Sequence, residues 1–273
     1  MRFAVFFASI LTLVAVPALA TLPTRTCGTT HFDAAAETRN QQFIQAYSQR
    51  AVHTPLNRSV PVYWHTIHDG SLGLLSSSQI QSQIDVLNQD YAKAGYSFHL
   101  VGSDWTHNAD WFYNMFNGSF QERAMKTLLR RGGADTLNIY TMNFNNIVGF
   151  SALPQNYASG PWRDGVVIYY ATLPGGGFSP FDLGRTATHE IGHWLGLLHV
   201  FEGGCSGNGD FVSDTPPQVI MTSGCPSFQD SCPGGGADSI HNFMDYTDDA
   251  CMNQFTKRQI MRMHALTQTY RGI

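Results

Sequence analysis

The sequence predicts an α/β chain in which a sheet-and-helix upper part sits over an irregular, disulfide-braced lower part. Three observations predict it. Strand-like and helix-like segments alternate through the first half of the 273 residues. Residues 203–238 are rich in Gly, Pro, Ser and Asp and follow neither a helical nor a strand period. Four of the five cysteines, Cys205, Cys225, Cys232 and Cys251, fall in or beside that stretch.

The elements follow in order. Asp33 to Arg50 is helix-like. Val60 to His68 is rich in β-branched and aromatic residues and predicts a strand. Ser76 caps a helix whose Ile80, Ile84, Leu87 and Tyr91 share one face, and Gly95 stops it. Tyr96 to Val101 predicts a short second strand. Phe120 to Arg131 predicts a helix, ended by Gly132-Gly133. Leu137 to Met142 and Val166 to Tyr170 predict two more strands. Between them Gly149 to Pro154 fits only an edge strand, because Pro154 donates no ladder hydrogen bond. A helix follows Gly184, and a last one runs from Thr256, where Thr-Lys-Arg-Gln fits a capping box, to about Thr269.

The first twenty residues read as a signal peptide. Arg2 is the basic flank, Phe3 to Val16 the apolar run, and Ala18-Leu19-Ala20 the cleavage pattern. No other stretch approaches 18 apolar residues, which argues against a membrane protein. The net charge is -4 with no Lys/Arg-rich run, which argues against nucleic acid. A secreted, extracellular monomer is expected. In that oxidising setting the four clustered cysteines read as two disulfides, with three connectivities open. Cys27 is left over. Asn57-Arg58-Ser59 and Asn117-Gly118-Ser119 are glycosylation sequons.

Residues 189 to 199 read HEIGHWLGLLH. His189 and His193 are four apart and fall one turn apart on one helix face, where both imidazoles reach one metal. Glu190 is rotated about 100° from His189, beside the metal, where it holds a water and does not ligate. His199 cannot join from the same helix, because ten residues would carry it roughly 15 Å along the axis. Gly196 is placed to end the helix and turn the chain back. Three histidines leave the fourth position of a zinc open for water, the catalytic arrangement. HExxH arises by chance in roughly 0.006 of chains with this composition. A lone methionine or tyrosine elsewhere would ordinarily be core.

HEIGHWLGLLH resembles the extended zinc motif of the metzincin metallopeptidases. Phe201 to Cys205, Gly209 to Pro216 and His241-Asn-Phe-Met-Asp-Tyr246, followed by Cys251, resemble the pappalysin family, including its fungal extracellular metalloproteases and ulilysin-like members. The resemblance runs from about Val60 to the C-terminus. It implies the metzincin (zincin-like) fold: a twisted mixed sheet with a backing helix, the active-site helix above, and an irregular lower subdomain ending in a C-terminal helix. It implies a zinc endopeptidase acting on protein or peptide substrates, with His189, His193 and His199 as ligands and Glu190 as the base that activates the water. Met244 would be the Met-turn, Tyr246 the oxyanion stabiliser, and the disulfides Cys205–Cys232 and Cys225–Cys251. Cys27, in Arg25-Thr-Cys-Gly-Thr29, would be a cysteine switch within a pro-segment of residues 21–57, leaving 58–273 as the catalytic domain. Relatives cleave before arginine, which makes Asn57-Arg58 a maturation point. Calcium is implied in the loop holding Asp210 and Asp214. A binding protein that retains the fold without catalysis is the competing reading, and Glu190 argues against it, since a structural zinc has no use for a base. A metallopeptidase that trims only short peptides is a third, and the length of its products would separate it from an endopeptidase.

Overall fold

The computed structural model describes residues 25–29, 33–50 and 57–273. The expected signal peptide lies outside these residues. Five strands form one mixed sheet in the order β2-β1-β3-β5-β4. They are β1 (Arg58–His68), β2 (Tyr96–His107), β3 (Leu137–Met142), β4 (Gly149–Ser151) and β5 (Val166–Tyr169). All neighbours are parallel except β4, which runs antiparallel along the β5 edge. This is the metzincin architecture, with β4 the predicted edge strand and Pro154 just outside it.

Alternation divides β1 and β3 between two cores. Val60, Val62, Trp64, Leu137 and Ile139 face one side. There they meet Ile80, Ile84 and Leu87 of α2 (Ser77–Tyr91) and Ile191 and Trp194 of α5 (Arg185–Trp194). Ile67, Tyr140 and Met142 face the other side. They pack on Phe112 of α3 (Ala109–Asn114) and Met125 of α4 (Phe120–Leu129). With both faces covered, β3 is buried throughout.

Two elements depart from expectation. β2 runs six residues past Val101, because β1 continues to pair with it from Tyr63–Gly102 to His68–His107. The predicted strand ends at Val101, just before Gly102. Gly102 is a close approach: a β-carbon there would meet the Tyr63 ring at 2.9 Å. α3 was not expected, being too short to show a period. The Asn108 side chain starts it by accepting from Trp111 N at 2.9 Å.

Ser76 and Gln79 form a capping box on α2, and Thr256 and Gln259 form the predicted one on α6 (Lys257–Tyr270). The disulfides Cys205–Cys232 and Cys225–Cys251 brace the irregular lower part. Upstream, α1 (Ala34–Ser48) starts at Asp33 and packs on α6. There Glu37 and Arg262 form a buried two-pronged ion pair, at 2.5 and 2.7 Å. Burial alone would raise the Glu37 carboxyl, but Arg262 outweighs it and holds the carboxyl below its ordinary value.

Candidate metal centre and active site

α5 ends at Trp194, with Leu195 as its cap, in a paired hydrogen-bond closure. Gly196 N donates to His193 O and Leu197 N to Gly192 O, both at 2.9 Å. Gly196 takes φ 107°, and a β-carbon there would also strike Leu266 at 2.5 Å. The reversal inferred from spacing is present, and it brings His199 back beside the helix. His193 Nε2 and His199 Nε2 lie 3.1 Å apart. His189 meets His193 edge-on, with ring centres 4.9 Å apart, and stacks on His199 at 5.2 Å.

The outward nitrogens are anchored. His189 Nδ1 donates to Phe243 O at 2.7 Å, and His193 Nδ1 to Leu197 O at 2.8 Å. A carbonyl only accepts, so the proton sits on Nδ1 and each Nε2 offers a lone pair inward. His189 Nε2 is buried and has no protein partner. Burial, followed by the neighbouring histidines, holds His189 and His193 well below the ordinary imidazole range, hence neutral. Phe201 stacks on His199 at 4.8 Å and 10°. Met244 is fully buried beneath α5, and a side chain at Gly192 would collide with its Sδ. The Tyr246 hydroxyl lies 3.3 Å from His199 Nε2.

A fourth group arrives from far upstream. The Cys27 Sγ and one nitrogen from each of His189, His193 and His199 all lie within 4.8 Å of one another. Cys27 N donates to the Tyr246 hydroxyl at 2.9 Å. Its thiol faces Glu190 Oε2 at 3.4 Å, and the Thr29 hydroxyl donates to the same oxygen at 3.0 Å. Burial raises Glu190 to about 8, against those two hydrogen bonds. Burial, with the Glu190 charge second, raises the Cys27 thiol well above its ordinary value. The segment lies along β4 in parallel: Val148 N donates to Thr26 O and Gly28 N to Gly149 O, both at 2.8 Å. β4 runs close against the helix, since a β-carbon at Gly149 would stand 2.9 Å from Glu190 Cγ.

Residues 135–268 match the M43 peptidase family described as pregnancy-associated plasma protein-A. An extracellular metalloprotease of Arthroderma benhamiae is 42% identical across 100% of this chain and 92% of its own length. Extracellular metalloprotease 1 of Coccidioides posadasii is 45% identical over 78% of each chain. The chain belongs to the pappalysin family. Among solved structures it is similar to mirolysin, with TM-score 0.71 and 34% identity over 79% of this chain and 94% of that one. A Tannerella forsythia promirolysin variant aligns with TM-score 0.74 and 31% identity over 90% and 95% of the two chains. This pappalysin is a zinc metalloendopeptidase. No helix among the described residues is long and apolar enough to cross a membrane.

Sequence reasoning missed several residues that this pappalysin gathers at the cleft. Arg25 is buried and pairs with Asp249, under the Phe181 ring at 5.0 Å and with Met252 Sδ at 3.4 Å. Asp249 is held by the Leu183 and Arg185 amides at 2.8 and 3.2 Å. Thr29 also accepts from Ser151 N at 2.8 Å. A basic residue two before Cys27 was the only available signal. The two loop carboxylates have separate duties. Asp214 takes Thr256 Oγ1 and Arg258 N at the start of α6, whereas Asp210 takes Thr215 Oγ1 and Val212 N. Burial raises Asp210 to about 7, and its Oδ2 has no partner. Asn57 is exposed and Asn117 half-buried.

Proposed function

We propose that the chain is a secreted endopeptidase made as a zymogen, with zinc on His189, His193 and His199. The observation that carries this reading is the convergence of the three imidazoles, two of them with Nδ1 tied to a carbonyl. The donors fit zinc: neutral imidazoles, one with a buried and unpartnered Nε2, and a sulfur as fourth donor. Zinc, when bound, supplies the Lewis acidity that makes water a nucleophile near neutral pH. Glu190 takes the proton of the attacking water at Oε2 and delivers it to the leaving nitrogen. The Tyr246 hydroxyl, which burial keeps protonated by raising it, donates to the developing oxyanion. Met244 supports α5 from below.

Residues 21–57 act as the pro-segment and 58–273 as the catalytic domain, with Asn57-Arg58 the maturation point. Cys27 would fill the fourth position of a bound zinc and, with Thr29, engages both Glu190 and Tyr246, so each catalytic group is spoken for before maturation. Cys27→Ala is expected to make the unprocessed chain active earlier and to a greater extent. Unchanged activation in a time course of secreted zymogen would sink the switch.

A substrate adds to β4 as an antiparallel strand. The pro-segment runs the other way, so Arg25, at the start of β4, marks the leaving-amine side. Its Asp249 socket favours a basic residue just after the scissile bond. A zinc chelator is expected to stop hydrolysis of a denatured protein, and added zinc to restore it. Hydrolysis indifferent to both rejects the metal reading. Calcium at Asp210 has one supporting observation, the partnerless buried Oδ2. Calcium added to metal-stripped protein should then raise Tm, and an unmoved Tm removes it.

A further inference from the structure

The pro-segment departs from a regular ladder at Gly28. Gly28 N pairs with Gly149 O, so its carbonyl should take Ser151 N, the next donor of a parallel ladder. Ser151 N instead donates to the Thr29 hydroxyl oxygen. The Gly28 carbonyl accepts from Asn117 Nδ2, at 3.1 Å. Asn117 comes from the turn that leads into α4. Phe116 N and Glu122 N both donate to the Ser119 hydroxyl, and Gly118 N donates to the Glu122 carboxylate at 2.7 Å. Glu122 is pinned in turn by the buried Lys126. The amide is thus presented from a rigid base into a groove of about 840 Å³ beside Phe150, Ser151 and Trp162.

We propose that Asn117 holds the substrate on the acyl side of the scissile bond, its amide donating to a main-chain carbonyl there. The assignment rests on the endopeptidase reading above. A substrate antiparallel to β4 passes its acyl-side residues along Ser151, into the lane where Asn117 already grips a peptide carbonyl. The amide has two donors and one acceptor, so it serves a main chain of either polarity. The same nitrogen is the attachment atom of the Asn117-Gly118-Ser119 sequon, and a glycan there would fill the groove.

Two peptides test this on mature enzyme. One extends four residues before the scissile bond and the other only one, with identical sequences after it. Asn117→Ala is expected to lower kcat/KM on the long peptide by about three- to tenfold, the worth of one hydrogen bond, and to leave the short one unchanged. Equal rates for variant and wild type on both peptides overturn the assignment, as does an equal loss on both. Faster zymogen activation with unaltered mature kinetics also overturns it, because Asn117 would then serve the pro-segment alone. Wild-type enzyme that hydrolyses neither peptide overturns the endopeptidase reading and this assignment with it. Mass analysis that finds Asn117 fully glycosylated in fully active enzyme overturns the assignment alone.

Discussion

Glu190→Ala in the mature enzyme is expected to lower kcat by about 10²–10⁴, the range for removing a positioned general base. Glu190 is fully buried, and its Oε2 receives the Cys27 thiol and the Thr29 hydroxyl. Those two donors stand where a water's protons would be, so the oxygen already has the geometry of a proton acceptor. The histidine anchors, Phe243 O and Leu197 O, do not involve Glu190. Zinc content and Tm should therefore survive the substitution while turnover falls. Steady-state kinetics on a quenched peptide, with metal analysis of the same sample, checks both halves. Equal activity in variant and wild type would refute the catalytic reading outright.

Asp249→Asn is expected to abolish the proposed preference for a basic residue after the scissile bond. The Arg25 guanidinium is nine-tenths buried and more, with Asp249 as its charge partner. Truncating one partner of a buried hydrogen-bonded charge pair costs about 2–5 kcal/mol. At about 1.4 kcal/mol per tenfold, kcat/KM on an arginine peptide should fall by about 30-fold or more. The matching leucine peptide should lose little. Asparagine keeps an oxygen for the Leu183 and Arg185 amides, so the loop stays in place. Competition between the two peptides reads the change directly, and a retained arginine preference would place the recognition elsewhere.

Much of the centre was legible because its signals are local. His189, His193 and Gly196 lie within one helix and its end, and the helical repeat alone brings the first two together. Gly196 was readable as a stop, since few residues other than glycine accept its φ. Met244 and Tyr246 were different. Nothing near them in the chain announces that Asn242 and Gln259 hold the turn, at 2.8 Å, or that α5 lies above it. They were reachable only through family resemblance. Arg25, Thr29 and Asp249 were not reached at all, because the contact between 25 and 249 depends on where β4 leads residues 25–29. β2 was cut short for a related reason: its last six residues carry little strand propensity and are extended by pairing with β1.

The proposed pro-segment meets the proposed catalytic domain twice, once along β4 through residues 25–29 and once through Glu37 on Arg262. Residues 30–32 join the two grips, a span of three residues. Linked grips raise each other's effective concentration, to the order of millimolar for short linkers. A cut near Asn57 leaves both on one strand, so the freed peptide still binds as a bivalent ligand. A cut within residues 30–32 dissolves that avidity and leaves two monovalent fragments, each free to depart at its own off-rate. Where the chain is first nicked therefore sets how quickly the cleft empties.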